Sequence, residues 1–467
     1  MAVRFHNSLS RRTEVFEPIE DGKVGLYTCG PTVYNFAHIG NFRAYVFEDL
    51  LRRTLRYVGY QVKQVMNLTD VDDKTIRDSR AAGVPLQDFT ETYKKAFFKD
   101  LDELRIERAE VYPAATDHIP EMIELIRTLL DKGVAYQADD GCVYFSIRKF
   151  PGYGKLGRIQ PDQMRPGSRI NQDEYAKESA ADFALWKAWD EEDGDVAWDS
   201  PWGKGRPGWH IECSAMSMKY PGPSFDIHTG GVDNMFPHHD DEIAQSEAAN
   251  GKPFVRYWLH CAHLVVDGKK MSKSAGNFHT LRDILERGYS GREVRWVLLG
   301  GHYRQALNFT LRECDDARAT LDRVDELVRR LKEAAGDTQP ADPRPDILRD
   351  AEQKFRAGLE DDLNISAALA ALFDAVRDLN RRLDAGQLSE ADAAAALELL
   401  RGFDSVLGCL DVDRSEEVPE EVLRQVQERQ QARKDKDFAR ADRIRDELAA
   451  SGWIVEDTPT GPYVKRG

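Results

Sequence analysis

Apolar positions recur along this chain with two different periods. Val24-Gly25-Leu26-Tyr27-Thr28-Cys29 reads as a short buried strand, followed by a turn-rich stretch with Gly30 and Pro31. From about Asn41 to Tyr57, Phe42, Val46, Leu50, Leu51 and Leu55 return at helical spacing. Gln61 to Asn67 then alternates as a strand. Strand, helix, strand is a βαβ unit, which predicts an α/β nucleotide-binding domain on a parallel sheet. Further helices are predicted from about Pro85 to Arg105 and from Ile119 to Lys132. A hairpin is predicted around Asp139-Asp140-Gly141, ahead of Cys142-Val143-Tyr144-Phe145. Pro151 to Pro207 is rich in Gly, Pro and charge, so residues 115–205 read as an insertion splitting the α/β domain into 1–114 and 206–268. The α/β pattern resumes near Trp209 and runs to about Val266.

Beyond that point the pattern is almost entirely helical. A linking region, 269–310, leads to a helical region, 311–410, that opens with a strong amphipathic helix from Leu311 to Ala335. After the Pro/Asp-rich loop Gly336 to Pro345, Ile347 to Leu410 reads as a bundle. A linker, Asp411 to Pro419, precedes a small C-terminal domain, 420–467. That domain begins with a helix, continues with a second from Ala439 to Ala449, and ends with a strand at Gly452 to Glu456 and a turn at Thr460-Gly461. No internal repeat or low-complexity tract occurs.

A length of 467 residues fits about three domains, and 41% apolar residues give material for a sizeable core. A formal net charge of −16 argues against general coating of nucleic acid, yet leaves room for a local basic face. No apolar run reaches membrane-spanning length. Met1 to Arg12 lacks the apolar stretch of a signal peptide. The expectation is a cytoplasmic protein with no membrane partner. Six cysteines are spread without a CxxC pair, and buried thiols are the default reading in a cytosolic chain. Cys29 and Cys213 are the two that call for another.

Four short segments carry candidate chemistry. His38-Ile39-Gly40-Asn41 stands between a strand end and a helix start, where helix amides attract phosphate; Gly40 permits close approach and His38 can donate to a phosphate oxygen. Lys270-Met271-Ser272-Lys273-Ser274 lies in a loop between Gly268 and Gly276, and its two lysines suit neutralisation of charge on a transferring phosphate. Pro237-His238-His239-Asp240-Asp241-Glu242 reads as a helix start with Pro at its first position and acids in its first turn. His238 and Glu242 then share a face; with Cys29 and Cys213 they form a sensible tetrahedral zinc set. Polar caps and buried cysteines are the alternative reading of the same residues. Gly230-Gly231-Val232-Asp233 permits close backbone approach, and Asp233 could accept from ribose hydroxyls.

Taken together, the chain resembles the cysteinyl-tRNA synthetases, a class I aminoacyl-tRNA synthetase family, over essentially its full length. The resemblance rests on Thr28 to Tyr34, His38 to Asn41, Asn67 to Lys74, Gly208 to Met216, Phe236 to His239 with Glu242, the lysine motif, and Phe438 to Leu448. It implies a Rossmann-like α/β catalytic domain with a parallel sheet and an insertion, then an all-α bundle and a small anticodon-recognition domain. It implies zinc on Cys29, Cys213, His238 and Glu242, binding the thiolate of substrate cysteine. Thr69 and Trp209 match pocket positions. ATP, with Mg2+, falls to His38, Gly40, Asn41, Gly231, Asp233, Lys270 and Lys273. Cysteine tRNA is the macromolecular partner, and a monomer is expected.

The class signature usually ends in His, where this chain has Asn41. Arg429, Arg433, Lys434, Lys436, Arg440, Arg443 and Arg445 concentrate positive charge in the tail, interspersed with acids, and Trp453 is a candidate for stacking on bases. Two rival readings are a ligase joining cysteine to a small amino-sugar, which would lack the tail, and a catalytically inactive synthetase-like regulatory RNA-binding protein, which would not need an intact lysine motif.

Overall fold

The computed structural model describes residues 2–159, 182–272, 276–413, 419–458 and 461–466. Its central sheet has four parallel strands, β1 (Lys23–Thr28), β2 (Gln61–Met66), β3 (Phe225–Gly231) and β4 (Val255–Cys261), in the order β4-β3-β1-β2. Leu26 of β1 sits opposite Gln64 on one side and Ile227 on the other. Helix α1 (Ile39–Tyr57) carries the chain from β1 outward to β2. Helix α2 (Trp209–Lys219) precedes β3, and α3 (Asp240–Asn250) carries the chain from β3 the other way to β4. The strand order thus reverses between β1 and β3, the place where open α/β sheets form a ligand crevice at their strand C-termini.

The apolar stripe of α1 explains its seat. Phe42, Val46, Leu50, Leu51 and Leu55 are all buried, and His38 caps its start. Asp49, on the same helix, meets the fully buried Arg295 at 2.5 Å, and Arg295 donates to the carbonyls of Leu407 (2.6 Å) and Leu104 (3.1 Å). Removing either partner of such a pair would leave a buried charge uncompensated, at about 3–5 kcal/mol. The signature helix is therefore fixed to the helical region by more than apolar contact.

Between the halves of the α/β domain, the strands Ala135–Gln137, Val143–Phe145, Phe183–Ala188 and Gly205–Pro207 form an antiparallel sheet, with the helix Ile119–Asp131 before it. Its first hairpin turns at Asp139 to Gly141 as the sequence indicates, Gln137 pairing with Val143. The helices Leu311–Ala335, Asp346–Glu360, Ile365–Asp384 and Glu390–Leu407 form the α-helical region. Among the described residues, no helix is long and apolar enough to cross a membrane.

Several elements depart from the sequence reading. An N-terminal hairpin pairs Arg4–Asn7 with Arg12–Val15, and Asp73–Ala82 is a helix. Lys270 is not in a loop. It ends a two-residue strand, Lys269–Lys270, paired with Leu264–Val266 across Asp267-Gly268, both at positive φ (49° and 71°), as a two-residue hairpin turn requires. Pro237 is not the first residue of α3. It lies in a turn, Met235–His239, from which α3 starts only at Asp240, because His238 and His239 are drawn into the interior.

The C-terminal unit, Asp411–Gly467, has the helices Glu420–Lys434 and Phe438–Ala450 and an antiparallel strand pair, Trp453–Thr458 with Gly461–Arg466. Trp453 is no stacking platform. It is 7% exposed, inside a core with Val422, Val426, Ile444, Leu448, Val455 and Val464. So small a unit has few apolar side chains with which to build a core, and Trp453 is its largest. Phe438, 60% exposed, is an aromatic this unit presents outward. Several of the tail's cations are also spoken for. Arg429 is buried and grips Asp457 with two bonds (2.9 and 3.0 Å), Arg433 meets the same carboxylate, and Arg445 lies 3.2 Å from Asp442 and Asp446. Thr460 lies outside the described residues.

Candidate active site and metal centre

Four elements bring the thiol cluster together. The chain leaves β1 at Cys29 and turns at once through Gly30, where a Cβ would stand 1.8 Å from the Asn67 carbonyl oxygen; only glycine fits. Cys213 comes from α2, His238 from the turn before α3 and Glu242 from the first turn of α3. One donor atom from each of Cys29, Cys213, His238 and Glu242 falls within 4.8 Å of all the others. Cys213, His238 and Glu242 are buried, while Cys29 is half-buried.

Electrostatics in the cluster run toward separated charge. A hydrogen bond between the two thiols holds the Cys29 thiol well up and brings Cys213 down to about 6. Burial opposes the His238 charge, but Cys213 and Glu242 outweigh it and push His238 up to about 10. Burial likewise opposes the Glu242 charge, yet His228 and His238 hold that carboxyl down at about 2. Two anionic donors and a cationic imidazole are thus packed in a dry site.

The donor set fits a zinc ion. It offers two sulfurs, an imidazole and a carboxylate. Glu242 Oε1 is buried without a hydrogen-bond partner, though it lies 3.1 Å from His238 Nε2. A buried anionic oxygen left unbonded in this way is suited to a cation. The remaining atoms are held from behind, as metal ligands usually are. His228 Nε2 lies 3.0 Å from Glu242 Oε2, and His210 Nδ1 lies 2.7 Å from His238 Nδ1. His210 Nε2 in turn lies 3.2 Å from Asp241, which accepts from the Tyr153 hydroxyl at 2.7 Å. A second group, Cys29, His228, His239 and Glu242, meets the same distance limit. It offers one sulfur rather than two. Its His239 is engaged by His260 (2.8 Å), which reaches Ser8 Oγ (2.8 Å). His210, His228, His239 and His260 were not picked out as a shell by the sequence reading.

The nucleotide side is built locally. His38 and Asn41 close a reciprocal cap on α1: His38 Nδ1 accepts from the Asn41 amide and Asn41 Oδ1 from the His38 amide, each at 3.1 Å. Burial lowers the His38 pKa, against a smaller opposing effect from Asp233 across the crevice. With Nδ1 accepting, the neutral ring carries its proton on Nε2, ready to donate. Asn41 uses its oxygen for the cap and keeps its NH2 for a ligand. A Cβ on Gly40 would stand 3.1 Å from Met271 Cε, so the lysine segment passes directly over the signature. Gly231 is similarly crowded by Asp233 Oδ1, at 2.4 Å from a Cβ, while Asp233 itself is exposed. Thr69 is buried at the end of β2, and Trp209, 42% exposed, stacks on His238 with ring centroids 4.3 Å apart. Lys270 is exposed; Lys273 and Ser274 lie outside the described residues.

Comparison with known proteins separates the readings. The tRNA synthetases class I (C) catalytic domain matches residues 15–319, a DALR domain residues 354–411, and a cysteinyl-tRNA ligase anticodon binding domain residues 415–464. The cysteine–tRNA ligase of Protochlamydia amoebophila is 50% identical over 469 residues, covering 99% of this chain and 98% of its own. The chain belongs to the cysteine–tRNA ligase family. It is a class I aminoacyl-tRNA synthetase, a ligase that takes an amino acid, ATP and tRNA. The cysteine–tRNA ligase of Chlamydia pneumoniae is 52% identical, covering 99% of this chain and 98% of its own. In fold, the chain resembles Mycobacterium tuberculosis methionyl-tRNA synthetase in complex with methionyl-adenylate (TM-score 0.61, 17% identity, 83% of this chain and 92% of that one). It also resembles a LeuRS–tRNA–LeuAMS complex from Agrobacterium radiobacter (TM-score 0.61, 13% identity, 85% of each chain). The anticodon domain disfavours the amino-sugar ligase, and neither rival reading is retained.

Proposed function

We propose that this ligase selects cysteine by its thiolate at a zinc site made of Cys29, Cys213, His238 and Glu242. What zinc supplies when bound is affinity for deprotonated sulfur, which serine and alanine lack. An apolar pocket alone separates near-isosteres poorly. Trp209 walls the substrate on the crevice side and Thr69 on the β2 side. The cysteine carboxylate oxygen attacks the α-phosphorus of ATP; the bond to pyrophosphate breaks and cysteinyl-adenylate forms. His38, through Nε2–H, and Asn41, through its amide NH2, hold phosphate oxygens at the N-terminus of α1. Asp233 accepts from the ribose, with Gly40 and Gly231 allowing close approach. Lys270 and Lys273 neutralise charge as pyrophosphate departs, and Mg2+ accompanies ATP. The terminal 2′-OH of cysteine tRNA then attacks the adenylate carbonyl and AMP leaves.

The domain limits read from the sequence assign tRNA to residues 311–410 and 420–467; the exposed Phe438 takes the stacking role first given to the buried Trp453. A monomer in the cytoplasm completes the reading. The observation that carries it is the buried thiol–imidazole–carboxylate set with its unbonded Glu242 oxygen. The test is charging of tRNA with labelled cysteine before and after zinc removal. Loss of charging on removal and recovery with zinc are expected; full charging by metal-free protein would overturn the zinc assignment.

A further inference from the structure

Helix α2 carries Trp209, Glu212 and Cys213 at positions i, i+3 and i+4, hence on one face. Trp209 stacks on His238, and Cys213 joins the donor set, so this face looks onto the substrate crevice. Glu212 is 1% exposed, and neither of its carboxylate oxygens has a hydrogen-bond partner among the described residues. Burial and then the acidic neighbours Cys213, Asp72 and Asp70 disfavour its charge, and the Thr69 hydroxyl favours it.

The adjoining acids are provided for. Asp70 pairs with Lys94 at 2.6 Å and accepts from Thr116 Oγ1 at 2.8 Å, and Asp72 caps the helix Asp73–Ala82. Of these three acids, Glu212 has neither an ion pair nor a hydrogen bond among the described residues. A buried carboxylate of this kind is costly unless a positive group compensates it. The described residues supply none in contact with it, whereas the substrate does: an amino acid whose thiol is held beside Cys213 must place its ammonium nearby. Thr69 is suited to pass the charge on. Its oxygen accepts from Asn67 Nδ2 at 3.2 Å and keeps a second lone pair, while its O–H can turn toward Glu212.

We propose that Glu212, acting through Thr69, is the positioning residue that supplies the countercharge for the α-ammonium group of cysteine. This rests on the reading of the donor set as the thiol site. It adds a second fixed point, so that thiol and ammonium together aim the carboxylate at the nucleotide. It also implies selection against thiols that carry no amine.

The test compares L-cysteine with mercaptopropionate, which keeps thiol and carboxylate but lacks the amine. Binding is followed by tryptophan fluorescence in zinc-loaded, full-length Glu212→Gln, with zinc content measured alongside. Cysteine affinity is expected to fall about tenfold or more, the scale of a lost charge-assisted hydrogen bond. Mercaptopropionate affinity and zinc content are expected to stay at the parent level. In ATP–pyrophosphate exchange the loss should appear mainly in KM for cysteine, and Glu212→Asp should restore part of it. Equal weakening of both ligands, or an unchanged cysteine affinity, overturns the assignment. Failure of the parent enzyme to bind either thiol would instead defeat the thiol-site reading beneath it.

Discussion

The thiol cluster and the start of α1 share one edge of one sheet but are built in opposite ways. Cys29, Cys213, His238 and Glu242 meet only because β1, α2, the turn before α3 and α3 pack together, and they carry one more negative than positive charge in a largely buried space. His38 and Asn41 lie three residues apart and hold each other through a helix cap. The first arrangement depends on the packing of elements distant in sequence and is assembled by the protein alone. The second is local and half-exposed, with Met271 of the lysine segment lying beside Gly40. The proposed thiol site is thus assembled by the packing of distant elements, whereas the proposed phosphate site is assembled by one helix cap beside Met271.

Five perturbations probe that contrast, from the largest effect to the smallest. Cys213→Ser removes a sulfur from the thiol site. It should lower charging on the order of a thousandfold, about 4 kcal/mol, with a matching loss of bound zinc; near-parent charging would break the contrast at its base. Lys273→Ala leaves the thiol cluster untouched. The rate of ATP–pyrophosphate exchange should fall on the order of a hundredfold with KM for cysteine unchanged, and equal losses in both would contradict the role.

Behind the cluster, His210→Asn should weaken zinc binding by about 10–100-fold, read by competition with a chelator. The pH dependence has a definite sign. In metal-free protein His238 keeps its proton up to about pH 10 and Cys29 its thiol proton well up the scale, so zinc uptake near neutrality must expel about two protons. As pH falls through about 6, Cys213 is protonated too, and the number climbs toward about three. Zinc affinity therefore falls with acid, more steeply below that point, as calorimetry in buffers of different ionisation enthalpy would show. Smallest of all, Asn41→Ala opens one cap, costing about 1 kcal/mol; a slightly lower melting temperature is expected, with cysteine affinity intact.

The same contrast governs what could be read in the sequence. β1, α1 and β2 were legible because their apolar spacing answers directly to burial, and so was the amphipathic helix Leu311–Ala335. The helix Asp73–Ala82 buries only Thr75, Ile76 and Ser79, too little for a period, although Asp72 and Thr75 form a capping pair that could have announced it. The Asp267-Gly268 dipeptide was a hairpin signal passed over in favour of a loop. Pro237 misled because a local preference for helix starts yielded to burial of the two histidines after it. The outer histidines were beyond reach. His228 and His260 lie on neighbouring strands, and only the packed sheet sets them behind Glu242 and His239.

The central claim is that a metal in this cluster meets the substrate's sulfur, and cobalt(II) in place of zinc makes that contact visible. On adding cysteine, the sulfur-to-cobalt charge-transfer absorption should grow, and neither serine nor alanine should change it. A spectrum indifferent to cysteine, from protein that still charges tRNA, would contradict the account.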